Sequence, residues 1–374
     1  MPKCQYTTIS YVKLRRLLFF LIASPFTLSA VEIDAAEIVH HSKSLYQDIY
    51  VRDDGNLRCM QFSSNQSLVR NYQGCIYLAN RNFVFKYTEA LLGALLMQHN
   101  PKRILVIGLG AAVIPRALSE LMPHAFIEVV EIDQEVAVVA RQYFGWDDEN
   151  NPLLRTYITD GRVFVKRVAQ LDIKYDLVVL DAFNSEYIPP HLSTQDFFLE
   201  LKSITSDEGV IASNTFSSSN LYDHESVTYT AAFGDFYNVQ LEGKAGNRVV
   251  LAYPNRKQDQ SYIRVNAAYW ALPFYRSYGI NVNDLLVNMD TSVDWDHEAR
   301  VLTDQYSPIN VLRSRPPVDI TLSQSVGSFF EQLADESPIL AAILIITIIL
   351  SVIFIIFTMF RLRISFRTKN STIS

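Results

Sequence analysis

The chain has 374 residues, 49% of them hydrophobic, which is enough for a large buried core and excludes an extended disordered tail. Its 33 Lys and Arg residues face 39 Asp and Glu residues, a formal net charge of -6. There is no diffuse positive field to hold phosphates, so nucleic acid is not an expected partner.

In chain order, Lys3, Lys13, Arg15 and Arg16 precede an apolar stretch from Leu17 to Ala30, and polar sequence follows from Glu32. A basic region before an apolar run too short to span a bilayer comfortably predicts a signal peptide or N-terminal anchor over residues 1–30. Leu28 stands where cleavage after Ala30 would want a small residue, which keeps the uncleaved anchor open.

Residues 31–98 are expected to form a small N-terminal β subdomain and a linking helix. Short strands are predicted from Ser44 to Asn82, with Tyr46-Gln-Asp-Ile-Tyr-Val alternating and Asp53-Asp-Gly55 turning the chain. Cys59 and Cys75 fall in two strand-like runs. As neighbours they could form a disulfide in an oxidising compartment, and otherwise they are two unpaired small hydrophobes. Leu91, Leu92, Leu95 and Leu96 recur at helical spacing, which predicts a helix over Phe85–Gln98 with these residues on one side.

Strand and helix then alternate. Strands are predicted at Arg103–Gly108, Phe126–Glu131, Thr156–Thr159, Asp176–Leu180 and Gly209–Asn214, with helices at Ala112–Leu121 and Gln134–Phe144 and Asp133 as an N-cap. That rhythm implies a parallel sheet covered on both faces over residues 99–255. It closes with a hairpin of Asn238–Gly243 and Arg248–Tyr253 around a turn containing Gly246. Residues 256–317 read as a mixed C-terminal part of the globular domain, helical around Arg264–Tyr278, and residues 318–337 as a linker.

Ile339 to Phe360 carries no charge, and about 20 apolar residues suffice to cross a bilayer, so a transmembrane helix is predicted over residues 338–360. Arg361, Arg363, Arg367 and Lys369 follow in a basic tail over 361–374, which the positive-inside tendency places in the cytoplasm. The expected location is the inner membrane, with one C-terminal transmembrane helix and the globular domain on the periplasmic side.

The chemistry concentrates at strand ends. Gly108-Leu-Gly110-Ala-Ala112 closes one strand and opens a helix, where glycine permits a tight turn and close approach of a nucleotide. Glu131 ends the next strand about 20 residues on, where a carboxylate accepts from ribose hydroxyls. A third, phosphate-cradling glycine is absent, which favours a nucleoside without phosphates. Asp160-Gly161 and Asp181 follow later strands, so both carboxylates lie at the carboxyl edge of the sheet. Asp160 can recognise an amide, act as a base, or simply cap a helix.

Val129-Val-Glu-Ile-Asp133, Thr159-Asp-Gly161, Tyr175-Asp-Leu-Val-Val-Leu-Asp181 and Leu302-Thr-Asp-Gln-Tyr-Ser-Pro308 resemble successive motifs of the spermidine and spermine synthases, the polyamine aminopropyltransferases. Tyr46-Gln47 resembles the nucleotide-contacting glutamine of that family, and Tyr87-Thr-Glu89 stands where it has tyrosine-histidine-glutamate. The resemblance implies an α/β fold with a Rossmann-like sheet of the S-adenosylmethionine-dependent methyltransferase type. It implies that Gln47, Gly108, Gly110, Glu131, Asp160 and Gly161 hold the nucleoside of decarboxylated S-adenosylmethionine, a co-substrate and not a permanently bound cofactor. Asp181 is implied as the base, and Tyr87, Glu89 and Asn184 as acceptor-site residues; no metal site is expected. Gly108-Leu-Gly-Ala-Ala-Val113 lacks the acidic residue the family carries in this loop, and Asn184 stands for a second aspartate.

The expected function is aminopropyl transfer to an amine or polyamine by a membrane-anchored protein, with a homodimer as a further expectation. Two alternatives stay open: a methyltransferase using S-adenosylmethionine, and an exported pseudoenzyme that binds nucleoside or polyamine at the membrane.

Overall fold

The computed structural model describes residues 37–62, 72–182, 189–216, 221–242, 246–256 and 260–309. The segments predicted as signal peptide, linker, transmembrane helix and basic tail lie outside the described residues. Within them, no helix is long and apolar enough to cross a membrane.

The N-terminal sheet runs β1 (Glu37–Lys43), β2 (Asp48–Asp54), β3 (Leu57–Gln61) and β4 (Tyr72–Tyr77), each antiparallel to the next. Asp53-Asp-Gly55 makes the β2–β3 turn as the sequence predicts, with Gly55 at φ +54°. The strand β1 precedes the predicted start at Ser44. Its register shifts between Ile38 and His40, and such a bulge breaks the alternation that would have announced it. Cys59 and Cys75 sit directly opposite each other on β3 and β4 and form a disulfide, with Cα atoms 4.1 Å apart.

The linking helix divides at Gly93 into α1 (Lys86–Leu92) and α2 (Ala94–Met97). Burial is not confined to the leucine side: Ala90 to Leu92 and Ala94 to Met97 are all buried, because the segment is wedged between the sheet and a later helix.

Runs such as Ile104-Leu-Val-Ile need cover on both faces. The strands β5 (Arg103–Ile107), β6 (Phe126–Glu131), β7 (Leu154–Ile158), β8 (Tyr175–Leu180) and β9 (Thr205–Phe216) pair in parallel in the order β9-β8-β5-β6-β7. Between them run α3 (Val113–Leu121), α4 (Gln134–Phe144), α5 (Gly161–Gln170) and α6 (Gln195–Ile204), followed by α7 (Tyr222–Phe233). Asp133 caps α4 by accepting from the Glu135 N–H at 3.0 Å, and Gly145 ends it at φ +72°.

The expected hairpin is β10 (Tyr237–Val239) and β11 (Asn247–Ala252), with β11 inserted antiparallel beside β9. A long helix α8 (Gln260–Tyr278), a short α9 (Val282–Asn288) and the edge strand β12 (Met289–Asp290) follow. The sequence showed α8 in part and neither of the last two. One face of the sheet is packed by α1, α2, α3, α4 and α8, the other by α5, α6 and α7.

Arg162 on α5 locks the C-terminal part of the domain. It donates to Glu200 at 2.7 and 2.8 Å and to Asp304 at 2.7 and 2.8 Å, while the Thr194 hydroxyl donates to Asp304 at 2.9 Å. These bonds hold the 302–308 segment against α5 and α6.

Candidate active site

The order of strands reverses at β5 and β8, and the crevice outside their carboxyl ends is the natural ligand position in such sheets. A cavity of about 540 Å³ opens there, between the main sheet and the N-terminal subdomain. Gln47, Tyr87, Gly108, Gly110, Glu131, Asp160, Gly161 and Asp181 all line it.

The glycine turn is shaped by necessity. Gly108 has φ +98°, and a Cβ there would lie 2.2 Å from the Asp181 carbonyl oxygen, so only glycine lets the ends of β5 and β8 meet. Gly161 is constrained less severely, by the Ile107 side-chain methyl 2.6 Å from where its Cβ would be.

Glu131 braces this turn. Its carboxylate accepts from the Leu109 N–H at 3.0 Å and the Asp133 N–H at 2.9 Å. Burial pushes its carboxyl up, against the opposing pull of those N–H groups. Asp133 in turn accepts from the Ser44 hydroxyl at 2.5 Å, and Ser44 closes the turn that carries Gln47. The N-terminal subdomain is thereby pinned to the strand bearing Glu131, which fixes Gln47 at the cavity wall.

Asp160 caps α5 through the Val163 N–H at 2.9 Å and also meets His191 Nε2 at 2.8 Å. Burial pushes its carboxyl up, but the Val163 N–H and His191 outweigh that and hold it below the usual range. Cap and cavity wall are both roles of this residue.

Asp181 is the carboxylate set apart. Burial raises its pKa to about 6, against a hydrogen bond from Asn214 Nδ2 at 2.8 Å. Asn247 Nδ2 donates to Asn214 Oδ1 at 2.9 Å, so a relay of two amides fixes the orientation of this carboxylate. Burial also pushes the Tyr87 phenol well up, and the nearby Asp181 charge adds to it. A carboxylate near pKa 6 can take a proton from an amine and release it to water at neutral pH.

Glu89 does not belong to this wall. It pairs with Lys86 at 2.7 Å; Tyr87 and Thr88 face the cavity, and the helical repeat carries the next residue round the axis. Asn184 lies outside the described residues. His191, Asn214 and Asn247 line the cavity without having been singled out from sequence. Asn214 ends a predicted strand at the ligand edge, so the strand-end rule that drew attention to Asp181 could have found it.

Comparison with known proteins follows the same outline. The spermine/spermidine synthase domain matches residues 84–241. The polyamine aminopropyltransferase of Vibrio vulnificus is 40% identical over 299 residues, covering 79% of this chain and 98% of that protein. The polyamine aminopropyltransferase of Chromobacterium violaceum is 30% identical over 47% of this chain and 64% of its own length. Among solved structures, a probable spermidine synthase from Corynebacterium glutamicum superposes with a TM-score of 0.52 at 17% identity. That alignment covers 70% of this chain and 97% of the other, a likeness of fold.

Proposed function

The chain belongs to the spermine/spermidine synthase family, the polyamine aminopropyltransferases, and from that premise we propose that it transfers an aminopropyl group from decarboxylated S-adenosylmethionine to an amine. The observation that carries this reading is Asp181, half-buried at the end of β8, oriented by Asn214 and raised to a pKa of about 6 beside a glycine turn and Glu131.

The amine nitrogen attacks the aminopropyl carbon bonded to the sulfonium, a C–N bond forms, the C–S bond breaks and its electron pair stays on sulfur in methylthioadenosine. Asp181 accepts the proton the amine must lose. Gln47, Glu131 and the Gly108 turn hold the nucleoside and Asp160 faces its base, so most of the rate comes from presenting two substrates in line. Because Asp181 must be ionised, the rate rises with pH through about 6.

Asp181→Ala tests the reading. With decarboxylated S-adenosylmethionine and putrescine, the full chain releases methylthioadenosine and the variant releases none above background; equal release from both would remove the base from the mechanism.

The same reading includes location. A disulfide at Cys59–Cys75 suits an oxidising compartment, in keeping with a domain exported to the periplasmic side and anchored by residues 338–360. The donor nucleotide must then be supplied to that side. Thiol alkylation in intact cells tests this: Cys59 and Cys75 stay unmodified until a reductant is added.

A further inference from the structure

The helix α8 has apolar residues on every side. Ile263, Ala267, Trp270, Phe274 and Tyr278 enter the core, yet Val265, Tyr269, Leu272 and Tyr275 point outward, 68%, 62%, 53% and 67% exposed. A helix that is apolar all round is ordinarily covered all round. The outward residues follow one another at intervals of four, three and three, so they form a single stripe about 15 Å long. Ala268 and Ala271 lie beside it, and Arg264 and Arg276 mark its two ends. No carboxylate is exposed on α8 between those arginines.

We propose that this stripe rests on the lipid surface, with α8 lying in the plane of the membrane interface. The inference rests on the anchoring read from residues 338–360. An apolar face with tyrosines in it and arginines at its borders matches the requirements of an interfacial helix. The rings sit at headgroup depth and the guanidinium groups meet anionic phosphates. The chain itself supplies the encounter. Twenty-nine residues separate Ile309, the last described, from Ile339, and their extended reach of roughly 100 Å lets any face of the domain meet the bilayer. The tether fixes proximity and the chemistry of α8 selects the face. Packed on the opposite side of the sheet, α5 is closed by Leu171, which is 63% exposed and provides an internal control.

The full chain is reconstituted into vesicles of phosphatidylglycerol and phosphatidylethanolamine that carry nitroxide-labelled acyl chains. A fluorophore is attached at Leu272→Cys or Leu171→Cys, in a Cys4→Ser background. The proposal expects the label at 272 to be quenched at least about twofold more than the label at 171. It also expects that excess to shrink when Arg264→Ser and Arg276→Ser are combined or when phosphatidylglycerol is omitted. Equal quenching at the two sites in a chain that floats with the vesicles overturns the docking and leaves the anchor standing. Cross-linking of position 272 to a second copy without quenching also overturns it, in favour of a dimer face. A chain that does not float with the vesicles overturns anchor and docking together.

Discussion

Replacing Asp181 by asparagine is expected to remove activity and to stabilise the fold, and the second effect has a size set by the burial that makes the residue a base. Burial lifts this carboxyl from 3.8 to about 6, a change opposed only by the Asn214 hydrogen bond. At about 1.4 kcal/mol per pH unit, keeping it ionised in the folded protein costs about 3 kcal/mol. The sign follows from proton binding. Between pH 3.8 and about 6 the folded chain holds a proton that the unfolded chain has lost, so stability falls as pH rises through that window. Below it the cost is absent, and above it the cost is fully present. The substituted amide keeps an oxygen for the Asn214 donor and carries no charge. Urea denaturation of wild type and Asp181→Asn at pH 4 and pH 8 reads the difference. The variant should gain up to about 3 kcal/mol at pH 8 and almost nothing at pH 4. A gain of the same size at both pH values, or a loss at pH 8, would refute the assignment of Asp181 as a desolvated, proton-accepting carboxylate.

Gly108→Ala forces a Cβ to within 2.2 Å of the Asp181 carbonyl at φ +98°, so methylthioadenosine binding measured by calorimetry should be lost. Retained affinity would mean that the turn does not shape the site. Arg162→Ala removes the cation shared by Glu200 and Asp304, two carboxylates partly open to solvent, and should lower stability by about 1–2 kcal/mol in denaturant, with the largest rise in protease sensitivity at residues 302–308. Reducing Cys59–Cys75, which are 16 residues apart, should cost about 3 kcal/mol of stability. Free thiols in protein purified without reductant would contradict the disulfide itself.

The sequence spoke most clearly where the signal is local. Asp133 and Gly145 punctuate α4, and the predicted Gln134–Phe144 is the observed helix. The alternation of strand and helix announced a parallel sheet covered on both faces, and strand ends pointed to Glu131, Asp160 and Asp181. What stayed hidden depends on tertiary register. His191 reaches Asp160 from 31 residues away, and Asn247 reaches Asn214 from 33, across neighbouring strands with no short-range pattern between them. The bulge in β1 concealed a strand, and Gly93 divides the linking helix, which α8 covers from far along the chain. Glu89 was placed by motif, and helical geometry turned it toward Lys86.

In the proposed reaction Asp181 serves transfer of an aminopropyl group and not a methyl group. One reaction decides it: the full chain incubated with an amine acceptor and either decarboxylated S-adenosylmethionine or S-adenosylmethionine, with both products resolved by mass. One aminopropylated amine formed per methylthioadenosine from the decarboxylated donor, and no product in Asp181→Asn, is the predicted result. A methylated amine with S-adenosylhomocysteine from the intact donor would contradict the account.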